Sequence, residues 1–201
     1  MCDKYDSYLE LCADYKEYRH FQIETKYLND KILIFTPHGG GIEGGTSELV
    51  RGIAGENLSY YIFEGVMRKN NGNLHLTSTK FDEPICINLI SHCETSLAIH
   101  RCCNKKEIIL LGGRDKELRD VLFETLKNSN FPVNIATGKF AGTFMSNICN
   151  RTNSGKGVQI EFSSGFLHQL FRNADTRLGR RTKNEIFERL VKNIRSVLLN
   201  S

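Results

Sequence analysis

The sequence predicts an α/β fold of one domain, with a mixed or largely parallel central sheet and helices on both faces. Two observations predict it: short apolar runs typical of buried strands alternate with amphipathic stretches typical of helices, and no repeat, linker or low-complexity tract interrupts them. The chain has 201 residues and is 40% hydrophobic, which suffices for a full core. Residues 1–201 are therefore expected to form a single domain.

The elements follow in order along the chain. Residues 1–20 mix tyrosines with acids and lysines, without strand alternation, and are expected to be an N-terminal covering segment. The apolar run 31–36, ended by Pro37, predicts a central strand buried on both faces. Thr46 or Ser47 is predicted to cap a helix that stops near Gly52 or Gly55.

Further elements come from the same patterns. Short apolar or alternating runs predict strands over 58–63, 74–79, 95–100, 107–111, 131–136 and 157–162. Helices are predicted from Pro84, from Asp115 to about residue 127, and over 181–199, where an apolar stripe predicts a packed C-terminal helix.

Composition narrows the class of function. A net charge of +4 and a pI near 8.6 weakly favour an acidic partner and fall short of a nucleic-acid-binding footprint. No apolar run is long enough to span a membrane. Seven cysteines without a spaced framework, and no signal-like start, predict a reduced, cytoplasmic protein. A monomer is favoured.

A glycine-rich loop, residues 36–48, follows the predicted central strand and has two interpretations. Gly39, Gly41 and Gly44 match the G-x-G-x-x-G pattern, and Glu64 follows twenty positions later, which is typical of a Rossmann-type nucleotide-binding module. This interpretation leaves His38 and Glu43 unexplained, because a carboxylate beside a pyrophosphate is unfavourable.

A metal site explains both residues. His38 lies at a strand end, and the glycines allow Glu43 to turn back toward the same ion. His100 ends another predicted strand and is a candidate third ligand, because α/β folds bind ligands at the carboxyl ends of strands. Two histidines and a glutamate form a hydrolytic zinc set. Glu161, an ionisable residue in an apolar strand, is the candidate general base.

Several motifs resemble those of the poly-γ-glutamate hydrolase family of bacilli and their phages. They lie between about residues 32 and 165, at 37–43, 45–48, 78–84, 99–100, 111–113, 147–151 and 158–161. The resemblance implies a zinc carboxypeptidase-like fold and one Zn²⁺ per chain. It implies that His38, Glu43 and His100 bind the zinc and that Glu161 is the catalytic base. Gly44 and Arg101 depart from the family pattern, which has proline and glycine there.

The resemblance also implies a substrate, a γ-linked glutamate polymer or oligomer with a free carboxylate on every residue. Asn150 and Arg151 are candidates to grip a carboxylate bidentately, as in carboxypeptidase-like sites. Arg114, after two glycines, is a second candidate cation. The alternative within hydrolases is a zinc amidase or carboxypeptidase-like enzyme that acts on another acidic substrate.

Three further interpretations stay open. His75 is either a hydrogen-bonded structural histidine or a donor to an oxyanion or substrate. Cys86 or Cys149 is a candidate nucleophile of a Cys-His hydrolase. A second metal cluster of Cys93, His100, Cys102 and Cys103 is conceivable, although adjacent cysteines are poor tetrahedral partners.

Overall fold

A computed structural model describes residues 3–200 and contains one seven-stranded mixed sheet in the order β1-β3-β2-β4-β7-β5-β6. Strands β2, β3, β4 and β7 run parallel, whereas β1 and β5 are antiparallel to their neighbours β3 and β7, and β6 is parallel to β5. The strands are β1 (Phe21–Lys26), β2 (Ile32–Gly40), β3 (Ser59–Gly65), β4 (Thr95–Cys102), β5 (Ile109–Gly113), β6 (Val133–Ile135) and β7 (Val158–Ser163).

Helices cover both faces of the sheet. They are α1 (Tyr8–Asp14), α2 (Thr46–Ala54), α3 (Pro84–His92), α4 (Lys116–Asn128), α5 (Ser164–Leu167) and α6 (Glu185–Leu198). Apolar residues of α2, α4, α5 and α6 form one core cluster with the sheet, and those of α1 and α3 form a second. The predicted α/β class is therefore confirmed. Between residues 3 and 200 no helix has the length and apolarity needed to cross a bilayer.

Helix boundaries follow local chemistry. Glu83 caps α3 by accepting hydrogen bonds from the amides of Ile85 and Cys86, and Pro84 opens its first turn. Helix α2 ends at Gly55 as predicted. The prediction that Thr46 or Ser47 caps α2 is wrong, because Gly45 holds the cap position with φ 107°.

Pro37 does not end the central strand. Strand β2 continues to Gly40, although Pro37 was predicted to stop it. Thr36 pairs with Ile62 of β3, and the next pair joins Gly39 to Glu64. Two residues of β2 therefore lie opposite one residue of β3, so β2 has one extra residue there. Such a β-bulge accommodates a proline that donates no ladder hydrogen bond, and it re-aims the neighbouring side chain. The bulge lies at His38.

Two elements differ from the sequence-based expectation. The alternating segment 74–79 forms no strand; it follows a short 3₁₀ turn, and Leu74 and Leu76 are buried in the second core cluster. Strand β1 lies within a segment for which no strand was predicted. Of the predicted covering segment, Met1 and Cys2 lie outside the described residues, while α1 packs on the sheet through the buried Leu11.

Candidate active site

A groove of about 760 Å³ lies at the carboxyl ends of the central parallel strands. His38 comes from β2, His100 from β4 and Glu161 from β7, which are three adjacent strands. Glu43 follows in the loop between β2 and α2. All four side chains line the groove, so the structure brings together the predicted metal ligands and the predicted base.

Three of these side chains converge on one point. The Nδ1 atom of His38 lies 3.1 Å from Oε1 of Glu43 and 3.3 Å from Nδ1 of His100. The Nδ1 atom of His100 lies 3.6 Å from Oε2 of Glu43. Zinc–ligand bonds of about 2.0–2.1 Å with tetrahedral angles place donor atoms roughly 3.3 Å apart. The spacing of the three donors therefore fits a zinc ion.

The hydrogen bonds of the histidine rings support the same conclusion. Nε2 of His38 is 2.7 Å from the carbonyl oxygen of Leu76, which can only accept, so Nε2 carries a proton and Nδ1 is the nitrogen that faces the site. Nε2 of His100 is near the Ser78 hydroxyl, at 3.4 Å. The two Nδ1 atoms thus face each other, an arrangement that a bound cation or a proton stabilises. Hydrogen bonds of this kind orient metal-binding histidines.

Glu43 is held ionised by its surroundings. Burial opposes its charge, but His38 and His100 outweigh that effect and hold the pKa of Glu43 well below its usual range. The backbone amide of Arg101 donates to Oε2 of Glu43 at 2.8 Å and fixes the carboxylate. Burial lowers the pKa of His100, but the nearby carboxylates of Glu43 and Glu161 raise it by more. The pKa of His100 therefore lies above its usual value.

Glu161 lies beside the converging donors. It pairs with His100 across the parallel strands β4 and β7, so the two side chains lie on the same face of the sheet. Desolvation by burial raises the pKa of Glu161, with Glu43 acting in the same direction and His100 against it. Gln159 makes a long contact of 3.4 Å to its Oε1 atom. A partly buried carboxylate with a raised pKa suits proton transfer.

His75 is a fourth group at the centre of the groove. Its ring stacks on that of His38, with centroids 4.0 Å apart, and its Nε2 is 3.9 Å from Oε1 of Glu43. Asp3 lies 2.6 Å from Nδ1; because a carboxylate only accepts, Nδ1 carries the proton and Nε2 faces the site with a lone pair. His38, Glu43 and His75 together also have spacings compatible with an ion, although the contacts that include His100 are shorter.

The three predicted substrate-binding residues do not line the groove. Asn150 is buried, and its amide nitrogen donates to the carbonyls of Gly142 and Phe144. The guanidinium of Arg151 donates to the carbonyls of Ser146, Phe81 and Thr79, and that of Arg114 to the carbonyls of Gly155 and Thr143. These contacts hold loops beside the groove, and none of the three side chains lines it.

Other cations line the groove, and the sequence reasoning assigned none of them to the substrate. Lys139 is exposed, with its ammonium over the ring of Phe140. Arg101 is tied to Asp175 at 3.0 Å and to the carbonyl of Gly44. Arg180 is buried and bound to Glu48. Lys139 lies in a loop that contains glycines, and the sequence alone does not show that this loop faces the groove.

Neighbouring protein atoms occupy the space where side chains of the loop glycines would lie, which argues against the Rossmann interpretation. A Cβ atom at Gly39 would lie 2.4 Å from Oγ of Ser47, and one at Gly41 would lie 2.4 Å from Nδ2 of Asn71. Glu64, the acidic residue of the Rossmann-type pattern, instead binds Arg51 at 2.5 Å. The glycines therefore permit close packing, and neither a pyrophosphate nor clearance around a substrate is needed to explain them.

The cysteine alternatives also fail. Cys86 and Cys149 are fully buried in the second core cluster, and burial raises the pKa of Cys149 to about 12, so neither thiol is an accessible nucleophile. Cys93 is buried, donates to the Leu89 carbonyl and does not line the groove. The suggested second metal cluster is therefore not formed.

The chain is similar to several known proteins. The chain is 36% identical over 188 residues to the SPbeta prophage-derived UPF0714 protein YoqZ of Bacillus subtilis (strain 168), covering 92% of this chain and 68% of that protein. The structure of this chain matches that of a bacteriophage poly-γ-glutamate hydrolase with a TM-score of 0.95 and 30% identity, over 99% of this chain and 98% of the other.

A zinc-free structure of YndL matches with a TM-score of 0.94 and 32% identity, also over 99% and 98% of the two chains. A model of the poly-γ-glutamate hydrolase family matches residues 5–193. The chain therefore belongs to the poly-γ-glutamate hydrolase family and is a hydrolase.

Proposed function

We propose that this hydrolase cleaves γ-glutamyl amide bonds in poly-γ-glutamate or its oligomers and that it uses one zinc ion. His38, Glu43 and His100 hold the zinc, and Glu161 is the general base. The observation that carries the proposal is the convergence of two imidazole nitrogens and one carboxylate within 3.1–3.6 Å of one another, beside a second carboxylate. The family match supports the polymer substrate.

A zinc ion in this site supplies Lewis-acid chemistry, since it polarises an amide carbonyl and acidifies water. Glu161 accepts a proton from the attacking water and returns it to the nitrogen of the leaving amine. The Arg101 amide keeps Glu43 fixed throughout.

Substrate carboxylates need cations that are free to bind them. Lys139 is such a cation, because it is exposed in the groove and no acidic side chain among the described residues lies within 4.0 Å of it. We assign to Lys139 the contact with the polymer carboxylates that the sequence suggested for Arg151. The loops beside the groove are held by hydrogen bonds from Asn150, Arg151 and Arg114. These three residues therefore affect substrate binding indirectly.

The Glu161→Gln variant tests the function. We expect the variant to retain zinc, because Glu161 is not a ligand, and to lose about 10²–10⁴-fold in the hydrolysis of γ-linked polymer, since it no longer accepts a proton. Metal content measures the first effect, and sizing of polymer products over time measures the second.

Glu117→Gln is the matched control, because Glu117 is exposed in the first turn of α4; it should leave both quantities unchanged. Loss of zinc from Glu161→Gln would make Glu161 a ligand and overturn the role assigned to it. Wild-type protein that cleaves another acidic amide and leaves γ-linked polymer intact would overturn the substrate.

A further inference from the structure

A second cavity of about 440 Å³ lies next to the groove. The two spaces share a wall of five residues, Gly40, Gly41, Ile42, Asp175 and Arg180. The backbone after β2 therefore has the metal-binding donors on one side and this second cavity on the other. The second cavity therefore borders the groove along this segment.

The second cavity is cationic. Four positive side chains line it, against one carboxylate, that of Asp175. Asp175 is already bound by Arg101 and His168, each at 3.0 Å. Arg68 and Lys69 are exposed, and neither has an acidic partner within 4.0 Å in the described part of the chain.

The other two cations differ in how freely they can bind a ligand. Arg177 touches Glu64 at 3.4 Å, but 61% of its side chain is exposed. Arg180 is buried against Glu48 and the carbonyls of Gly40 and Ala174, so it forms part of the wall. Three exposed cations thus remain to face an acidic ligand.

The loop that carries Arg68 and Lys69 is held rigidly. The buried Asn71 side chain accepts from the amide of Met67 at 3.0 Å and donates to the carbonyl of the same residue at 2.8 Å. Gly41 and Gly65 lack side chains where Asn71 packs; a Cβ at either would lie within 2.7 Å of it. The backbone that carries the two charges is therefore held in place, which limits the cost of ordering on binding to the two side chains.

We propose that this second cavity binds carboxylates of the γ-linked glutamate polymer at residues remote from the cleaved bond. Arg68, Lys69 and Arg177 are the contacts. The inference rests on the proposed function, since the ligand is the same polymer. It predicts that the enzyme prefers long chains, because a long chain has further carboxylates to bind Arg68 and Lys69 while its cleaved bond lies in the groove.

The test is the double variant Arg68→Ala/Lys69→Ala, assayed on long γ-linked polymer and on a γ-linked glutamate dimer or trimer. We expect the ratio of kcat/KM on long polymer to that on short oligomer to fall about tenfold, as expected for the loss of two solvent-exposed charge contacts. The loss should appear in KM, because these residues do not touch the cleaved bond. Added salt should reduce the difference between variant and wild type.

Lys116→Ala/Lys192→Ala is the matched control, because it removes the same charge from exposed positions on α4 and α6. If the Arg68/Lys69 variant keeps the wild-type ratio, or if the control lowers it equally, the second cavity is not a polymer site. Either result leaves the proposed function intact, whereas wild-type protein inactive on every γ-linked substrate would overturn that function instead.

Discussion

Asp3 is the residue that orients His75 at the centre of the site. Its two carboxylate oxygens accept from Nδ1 of His75 at 2.6 Å and from the amide of Thr77 at 2.7 Å, and only 10% of its side chain is exposed. Asp3 therefore ties the N-terminal segment to the loop that lines the groove. Burial and the neighbouring His38 lower the pKa of His75, with Asp3 opposing them.

Asp3→Ala should destabilise the protein and weaken the site. The Thr77 amide and the His75 ring lose their partner, which costs about 1–3 kcal/mol of the free energy of unfolding. Urea denaturation measures this loss. Zinc affinity should fall about 10- to 100-fold if His75 helps to hold the ion, as with other orienting partners; an unchanged affinity would remove His75 from the metal site.

Asp6→Ala is the control for that change. Asp6 belongs to the same segment but is 76% exposed, and it pairs with Lys80 at the surface. Its replacement should change the free energy of unfolding by no more than about 0.5 kcal/mol. A loss equal to that of Asp3→Ala would show that the whole segment, and not the contact with His75, is responsible.

At the scale of the element, the end of β2 determines the geometry of the site. The bulge at Pro37 and His38 turns the imidazole toward the groove, and the strand then continues to Gly40 beside β3. Gly40 has φ +66°, and a Cβ there would lie 2.4 Å from Cγ of Glu64 and 2.5 Å from the carbonyl oxygen of Gly65. Both the conformation and the space require glycine.

Gly40→Ala should cost about 3 kcal/mol or more, the sum of a left-handed backbone and overpacking. Gly155→Ala separates the two causes, because Gly155 has nearly the same φ of +69° and no atom within 4 Å of the position of a Cβ. It should cost only about 1–2 kcal/mol. Equal losses in urea denaturation would show that crowding at the end of β2 is unimportant.

The sequence predicted elements well where local pattern and tertiary packing agree. Strands β2 and β4 contain buried apolar runs, β7 alternates apolar and polar residues, and α6 has one apolar stripe. Strand β1 was missed because its alternation covers only its first four positions, at the edge of the sheet. The segment 74–79 alternates like a strand, but its leucines pack into the second core cluster and no neighbouring strand pairs with it.

The site could be predicted where a residue type and its strand position both indicate a role. His38, His100 and Glu161 lie on parallel strands whose carboxyl ends meet, so their convergence followed from topology. Arg151 could not be placed in this way, because its contacts are with carbonyls of two distant loops. Only the folded chain shows that its guanidinium faces these carbonyls and does not line the groove.

At the scale of the whole molecule, the candidate site spans the centre of the sheet. The proposed zinc ligands lie between residues 38 and 100 and belong to two adjacent strands and one loop. The unfolded chain cannot bring these side chains together, so a metal ion at the proposed site would bind the folded state preferentially. Metal binding at that site would therefore be coupled to folding.

Zinc should raise the melting temperature. At a free zinc concentration 100 times its dissociation constant, the stabilisation is about 2.7 kcal/mol, which for a chain of this length corresponds to roughly 5–11 °C. Calorimetry with zinc and after chelation measures the shift. His38→Ala should abolish it, and a shift of the same size in that variant would place the ion elsewhere.

The hydrogen bond from the Arg101 amide to Glu43 has a consequence for sequence variation within the family. The donor belongs to the main chain, so any residue except proline can supply it. This explains how an arginine can stand where the family pattern has glycine without disturbing the carboxylate. The contact with Glu43 therefore does not depend on which side chain stands at this position, provided that the residue is not proline.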